Sequence, residues 1–309
     1  MKRVVIGANA HAVLSDALLR RRPDLEVRGR RYTDVTRDDL EWGEAYLGFR
    51  RPPVVGMGNI RWVHCTGAGV DAWMFPEELP GDILLTRTTE SFGPMIAEWA
   101  LSRALAFSQQ LGALADDQRD RKWQHRDVSM LRGTRAVIVG TGDVGSQVGR
   151  LFRALGCVVH GISRSGAGDP AIFSSCATTA SLESEAAAAD WLIVTLPLTA
   201  ATRGLVGRAV LASCRGAVLM NAGRGPVVDE SLIPEALEKG WLRGAALDVF
   251  QVEPLPQDSP LWNDVRVLIS PHISGPTTPV AALDGFLECL DAIERGARPA
   301  TMVDRERQY

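Results

Sequence analysis

Along almost the whole chain, short apolar runs alternate with stretches of helical spacing. Toward the N-terminus the runs are Val4–Ile6, Ala45–Phe49, Trp62–Cys65 and Ile83–Thr86, separated by polar or amphipathic stretches such as Ala12–Arg21. A second series follows Leu131-Arg132-Gly133 and comprises Ala136–Val139, Val158–Ile162, Trp191–Leu196, Ala217–Asn221, Ala245–Val249 and Val265–Ile269. Each run reads as a strand. The second series is nearly continuously apolar, as strands covered on both faces are. Strand–helix alternation of this kind predicts an α/β fold, in which parallel sheets carry helices on both sides.

Between the two series, Ser91-Phe92-Gly93-Pro94 reads as a break and Pro94 as the start of a long helix running from Ile96 to about Leu114. The tail Val280–Gly296 is again amphipathic, with Ala282, Phe286, Leu290 and Ile293 roughly on one face. Because it comes after the last strand of the second series, it is expected to return to the first. The pattern therefore predicts two doubly wound parallel-sheet domains with a cleft between them. One is a smaller, flavodoxin-like and discontinuous domain of residues 1–93 and 280–309; the other spans residues 94–279.

Composition narrows the function. The 309 residues suffice for two domains, and 46% hydrophobic with 23% charged residues is the profile of a globular protein. A net charge of -3 offers no broad basic surface, so no nucleic-acid partner is expected. The cysteines Cys65, Cys157, Cys176, Cys214 and Cys289 are scattered and never spaced as CxxC. They point to reduced thiols in a cytoplasmic protein, without a disulfide framework or a metal site. The apolar start Val4-Val5-Ile6 is interrupted by Asn9 and His11 and reads as a strand rather than a signal peptide. No uninterrupted apolar run reaches roughly 18 residues, so no membrane association is expected.

Gly140-Thr141-Gly142-Asp143-Val144-Gly145 fits GxGxxG. The strand Arg135–Val139 runs straight into it, and a helix follows with Val144, Val148, Leu151, Phe152 and Leu155 on one face and Gly156 as its stop. In this context Gly140 permits the tight turn, Gly142 lets backbone approach a pyrophosphate, and Gly145 lets the helix pack on the strand. Asp143 and Val144 open the helix whose N–H groups would hold the phosphates. Residues 94–279 thus read as a Rossmann dinucleotide-binding domain. An NAD site carries an acidic residue about 20 residues further on, at the end of the second strand. Here that strand ends in Ser163-Arg164-Ser165, and no acid occurs before Asp169. A hydroxyl, an arginine and another hydroxyl suit a 2′-phosphate, so NADP is the expected cofactor, with NAD possible as the lesser alternative.

Further motifs stand at later strand ends: Asn221-Ala222-Gly223-Arg224-Gly225-Pro226-Val227-Val228-Asp229, Leu247-Asp248-Val249-Phe250-Gln251-Val252-Glu253-Pro254 and Ser270-Pro271-His272-Ile273-Ser274-Gly275. With Leu196-Pro197-Leu198-Thr199 and Gly67-Ala68-Gly69-Val70-Asp71, these segments resemble the D-2-hydroxyacid dehydrogenases, most closely the glyoxylate/hydroxypyruvate reductases, in order and spacing across nearly the whole chain. The resemblance implies hydride transfer between a nicotinamide and a small 2-keto or 2-hydroxy acid. It makes residues 1–93 with 280–309 the substrate-binding domain and implies a homodimer, paired through the helix carrying Ile96, Trp99, Ala100, Arg103, Ala104 and Phe107.

The chemistry can be matched to residues. Reduction of a carbonyl needs a proton donor, and histidine alone has an unperturbed pKa near neutrality, which makes His272 the candidate. Glu253 would orient the imidazole and favour its charged form. Arg224 would hold the substrate carboxylate and polarise the keto oxygen. By resemblance, Ala68 and Gly69 offer backbone N–H groups to the carboxylate, Leu196, Pro197 and Thr202 adjoin the cofactor, and Asp248 contacts the nicotinamide amide. Arg50 and Arg51 are weaker carboxylate candidates, and Trp42 and Trp73 are candidates for the side-chain pocket. The alternatives are a dehydrogenase for larger D-2-hydroxy acids and a nucleotide-sensing binding protein of the same fold.

Overall fold

The computed structural model describes every residue except Pro76, Glu90 and Ser91. Ser91, the first residue of the expected break, therefore lies outside the described residues. The chain divides into two compact units, Met1–Ser91 with Thr277–Tyr309, and Phe92–Pro276. Both joints fall slightly before the expected ones. Phe92 and Gly93 already belong to the helix Phe92–Ser108. At the other joint, the Thr277 hydroxyl donates to the Thr66 carbonyl (3.0 Å).

Among the described residues, the first unit has five parallel strands: β1 (Arg3–Gly7), β2 (Glu26–Arg30), β3 (Ala45–Leu47), β4 (Trp62–Cys65) and β5 (Leu84–Arg87). Their order is β2-β1-β3-β4-β5, the flavodoxin-like arrangement. The expected tail helix forms over Pro279–Glu294, capped by the Thr278 hydroxyl and opened by Pro279. Its inner face joins the core of this unit, where Phe286 stacks on Trp62 with ring centroids 4.5 Å apart. Burying each such ring contributes about 2 kcal/mol. Beyond this helix, Val303 N–H donates to Leu85 carbonyl (2.9 Å), so the C-terminal segment covers part of the β5 edge.

The second unit has seven parallel strands among its described residues: β6 (Arg135–Val139), β7 (Val158–Ser163), β8 (Ser175–Thr178), β9 (Trp191–Val194), β10 (Ala217–Asn221), β11 (Leu242–Leu247) and β12 (Val267–Ile269). The order β12-β11-β10-β9-β6-β7-β8 is the doubly wound Rossmann order, extended by one strand at the β12 edge.

Three expectations need correction. Strands β2 and β8 are absent from the apolar pattern because both are sheet edges with largely exposed or half-buried side chains. The long helix expected to reach Leu114 breaks at Gln110, whose φ of 52° is left-handed, and resumes as Leu111–Arg119. Gln109 donates to the Ser129 carbonyl (2.8 Å) and Gln110 to that of Asp127, drawing the following segment against the break. Finally, Ile96, Trp99, Ala100 and Ala104, expected to face a second copy, are buried within their own unit. Trp99 Nε1 donates to Ser270 Oγ (3.0 Å), so this face belongs to the core.

Candidate active site

The glycine-rich turn leaves β6 and enters the helix Asp143–Ala154. Gly140 has φ 116°, a conformation open to glycine, and a β-carbon there would meet Thr195 Oγ1 at 2.7 Å. A β-carbon at Gly145 would stand 1.7 Å from the Gly140 carbonyl oxygen, which is how closely helix and turn pack. At Gly142 a β-carbon would meet nothing within 4 Å. There the backbone borders open space just where the unpaired N–H groups of the helix start, beginning at Asp143 and Val144, present their positive end. These features fit a dinucleotide pyrophosphate. Gly156, with φ 86°, closes the helix as expected.

At the end of β7, Arg164 and Ser165 are exposed and Ser163 half-buried. Ser163 Oγ donates to the Ala167 carbonyl (3.0 Å), which also accepts from Thr141 Oγ1 (2.6 Å). The Ser163 hydroxyl, expected to serve a 2′-phosphate, is thus engaged in latching its own turn to the glycine-rich loop. Arg164 has no carboxylate within ion-pair distance among the described residues. The following loop, Leu196–Leu205, is internally tied: Thr202 Oγ1 donates to the Pro197 carbonyl (2.7 Å) and accepts from Thr199 N–H (2.8 Å). Thr202 therefore shapes the turn that carries Leu196 and Pro197.

Arg224, Glu253 and His272 follow the C-terminal ends of the neighbouring strands β10, β11 and β12, where open α/β sheets bind ligands. Asn221 is buried; its Oδ1 accepts from Gly223 N–H (3.1 Å) and its Nδ2 donates to the Arg224 carbonyl (3.2 Å), which fixes the arginine turn. Arg224 Nη1 donates to the Gly223 carbonyl (2.9 Å). Glu253 and His272 meet directly, with Oε2 to Nδ1 at 2.8 Å, while Phe250 N–H donates to the other carboxylate oxygen (3.1 Å). Burial pushes the Glu253 carboxyl upward, but the hydrogen bonds from His272 and Phe250 and the charges of His272 and Arg224 bring it below the usual carboxylate range. With Nδ1 held by Glu253, Nε2 is the imidazole nitrogen left to exchange a proton with a ligand.

His272 has φ 54°, left-handed for a residue with a side chain, and the turn is held there from beneath. Its N–H donates to the Asp248 carbonyl (2.8 Å). The fully buried Asp248 carboxylate accepts from Ser270 Oγ (2.6 Å), Ile273 N–H (3.0 Å) and Ser274 N–H (2.8 Å). Asp248, expected at the nicotinamide amide, is thus first a clamp on the histidine turn.

In the first unit, the loop after β4 buries Gly67 and Gly69, with Ala68 half-buried. Cys65 Sγ donates to the Gly69 carbonyl (3.4 Å). Arg50 is exposed, with its guanidinium 5.7 Å from the Tyr32 ring centroid. Arg51 Nη2 donates to the Trp73 carbonyl, and Trp73 is fully buried with Nε1 on the Phe49 carbonyl (3.1 Å). Trp73 therefore belongs to the core, and the pocket role expected of it is withdrawn; Arg51 is tied to its carbonyl. Trp42 is half-buried beneath the Arg28 guanidinium at 4.2 Å.

Residues 101–274 match the family described as D-isomer specific 2-hydroxyacid dehydrogenase, NAD binding domain. The chain belongs to this oxidoreductase family. Glyoxylate/hydroxypyruvate reductase A of Serratia proteamaculans (strain 568) is 34% identical over 267 residues, covering 82% of this chain and 84% of the relative. Among solved structures, a D-isomer specific 2-hydroxyacid dehydrogenase from Xanthobacter autotrophicus Py2, in complex with NADPH and MES, superposes with TM-score 0.89 at 31% identity, covering 100% of this chain and 99% of that one. An NADPH-dependent glyoxylate/hydroxypyruvate reductase from Sinorhizobium meliloti, in complex with NADP and sulfate, gives TM-score 0.88 at 26% identity and covers both chains fully.

For a dehydrogenase of this family, sequence reasoning missed the residues that hold the site: Asn221, Ser270, Trp99 and the clamping role of Asp248. Each lies many positions from the turn it supports and becomes visible only once the sheet makes neighbours of β10, β11 and β12.

Proposed function

We propose that this dehydrogenase reduces small 2-keto acids with NADPH, glyoxylate and hydroxypyruvate foremost, to the D-2-hydroxy acids. The observation that carries the reading is the meeting of Glu253 and His272 at adjoining strand ends, with Arg224 on the next. The bound nicotinamide supplies the hydride. His272, oriented by Glu253, gives the proton that the carbonyl oxygen needs as it gains charge. Arg224 supplies a planar fork of donors for the carboxylate and keto oxygen, and the backbone N–H groups of Ala68 and Gly69 receive the carboxylate. Gly140, Gly142, Asp143, Val144 and Gly145 hold the pyrophosphate, with Leu196 and Pro197 beside the cofactor.

The preference for NADP over NAD rests on Arg164, exposed and without a carboxylate partner among the described residues, and on the absence of any acidic residue from Ser163 to Gly168. The NADPH and NADP complexes of the two structural neighbours support it. Assay of a panel of 2-keto acids with NADPH and NADH tests the whole reading. Oxidation of NADPH by glyoxylate is expected, and its absence with every keto acid would remove the reductase assignment.

The working form is a homodimer. Its support is the set of exposed apolar side chains that the second unit carries between residues 105 and 130: Leu105, Leu111, Leu114, Trp123, Val128 and Met130. The bonds from Gln109 and Gln110, with the Asp117–Arg126 ion pair, hold residues 126–130 beside these helices. A face of this kind suits a symmetric interface. Light scattering at assay concentration should return twice the mass of the chain; a monomeric mass would rule out the pairing. A cytoplasmic location is proposed on the scattered cysteines, which are never spaced as CxxC; no helix among the described residues is long and apolar enough to cross a membrane. No nucleic-acid or membrane partner is proposed.

A further inference from the structure

We propose that Arg87 is a positioning residue that shapes and charges a carboxylate cradle in the loop Gly67–Val70. The inference rests on the reading of that loop as the seat of the substrate carboxylate, and adds to it the residue that builds the seat.

Arg87 ends β5 and Cys65 ends β4, its neighbour in the sheet. From there each side chain reaches one carbonyl of the loop. Arg87 Nη1 donates to the Ala68 carbonyl (2.8 Å), and Cys65 Sγ to that of Gly69 (3.4 Å). In a planar trans peptide the N–H points opposite to the carbonyl of the same unit. Holding the Ala68 carbonyl therefore turns the Gly69 N–H, one of the two read as receiving the carboxylate, away from Arg87, and holding the Gly69 carbonyl does the same for the Val70 N–H beyond it. Gly67 is required as well, because a β-carbon there would stand 2.6 Å from the Phe49 ring.

Two independent features mark this arrangement as built for an anion. Among the described residues, no acceptor meets the backbone N–H of Gly67, Ala68, Gly69 or Val70, although the loop is mostly buried. Buried N–H groups are almost always paired, so a row of unpaired ones calls for a ligand or water. Arg87 itself is half-buried; among the described residues its guanidinium makes one hydrogen bond and no carboxylate lies within ion-pair distance. Burial depresses its pKa, outweighing the opposing influence of Cys65 and Tyr309. A guanidinium kept from water without a counter-ion is costly unless an anion completes it. A short carboxylate seated on the N–H groups would do so through the same peptide unit that Arg87 anchors.

The test separates anchoring from charge. Arg87→Met removes both, Arg87→Gln keeps a donor for the Ala68 carbonyl but loses the charge, and Arg87→Lys keeps charge and donor. Each is assayed for glyoxylate KM and kcat, for oxalate Kd by calorimetry as a non-reacting carboxylate, and for NADPH Kd by fluorescence. Arg87→Met and Arg87→Gln should each raise the glyoxylate KM and the oxalate Kd roughly tenfold or more, the scale of one lost charge-assisted contact. Their kcat should stay within about threefold and NADPH Kd should not change; Arg87→Lys should recover most of the loss. If Arg87→Met does not fold, Arg87→Gln decides. Unchanged glyoxylate KM and oxalate Kd in Arg87→Gln, beside a wild-type protein that binds oxalate, would overturn the inference alone. A wild-type protein that binds no oxalate would overturn the carboxylate reading and the inference with it.

Discussion

Two ends of one sheet do different work in the second unit. Past β10, β11 and β12, each candidate catalytic side chain is held in place: Asn221 fixes the Arg224 turn, Glu253 holds His272 Nδ1, and the buried Asp248 carboxylate clamps the turn that carries His272. Past β7, by contrast, Arg164 stands exposed and, among the described residues, without a carboxylate partner, on a turn latched to the glycine-rich loop at the Ala167 carbonyl. The difference follows from what each end has to do. Proton transfer demands a donor placed within a few tenths of an ångström, which only a supported turn provides. Choosing between a ribose hydroxyl and a phosphate demands charge, which tolerates a loose side chain.

The largest effect is expected at the rigid end. His272→Ala should lower kcat for 2-keto acid reduction by roughly 10²–10⁴-fold, because the proton donor is lost. NADPH affinity, measured by fluorescence titration, should stay near wild type, since the cofactor loop lies on other strands. Near-normal turnover in this variant would remove His272 from the chemistry and leave the supported turn without a purpose.

The same contrast governs what could be read along the chain. Central strands such as Val137–Val139 and Leu192–Val194 are buried on both faces and therefore nearly continuously apolar, so they were plain in the pattern. The edge strands Glu26–Arg30 and Ser175–Thr178 are exposed or half-buried throughout and were not. The break at Gln110 carries neither glycine nor proline, and its cause lies in bonds to Asp127 and Ser129 well downstream. At the site, Arg224, Glu253 and His272 were legible because motif and strand-end position coincide. Trp73 was misjudged, because an aromatic residue near a binding loop looks the same in sequence whether it lines a pocket or fills a core. Arg87 gave no signal at all: a lone arginine at a strand end acquires meaning only from the carbonyl it reaches.

A second, smaller effect is expected at the loose end. Arg164→Ala should raise the KM for NADPH roughly ten- to a hundredfold, the worth of one charge-assisted hydrogen bond of about 1.5–3 kcal/mol at 1.4 kcal/mol per tenfold. The KM for NADH should hardly move, because no 2′-phosphate is there to miss the charge. Equal or better efficiency with NADH in the unmodified protein would show that this turn does not select the phosphate, and the contrast between the two ends would lose its second half.

The subtlest effect tests whether the rigid end works through charge as well as geometry. Glu253 lies 2.8 Å from His272, and its carboxyl is held below the usual range, so it is an anion at ordinary assay pH. Part of that lowering comes from His272 itself. Reduction needs the protonated imidazole and fails as pH rises and the proton leaves. Glu253→Gln removes the stabilising charge while an amide oxygen can still accept from Nδ1, so the ring keeps its orientation. Because the Glu253 carboxyl is held below the usual range, its charge is present at ordinary assay pH and is lost only as pH falls through that depressed range; the unmodified protein should lose kcat/KM there, and Glu253→Gln, which has no proton to take up, should lack that acid limb. At the optimum the loss in kcat should be far smaller than in His272→Ala. Profiles that superimpose on those of the unmodified protein would reduce Glu253 to a spacer, whereas a loss as deep as that of His272→Ala at every pH would mean that geometry, not charge, is what the carboxylate supplies.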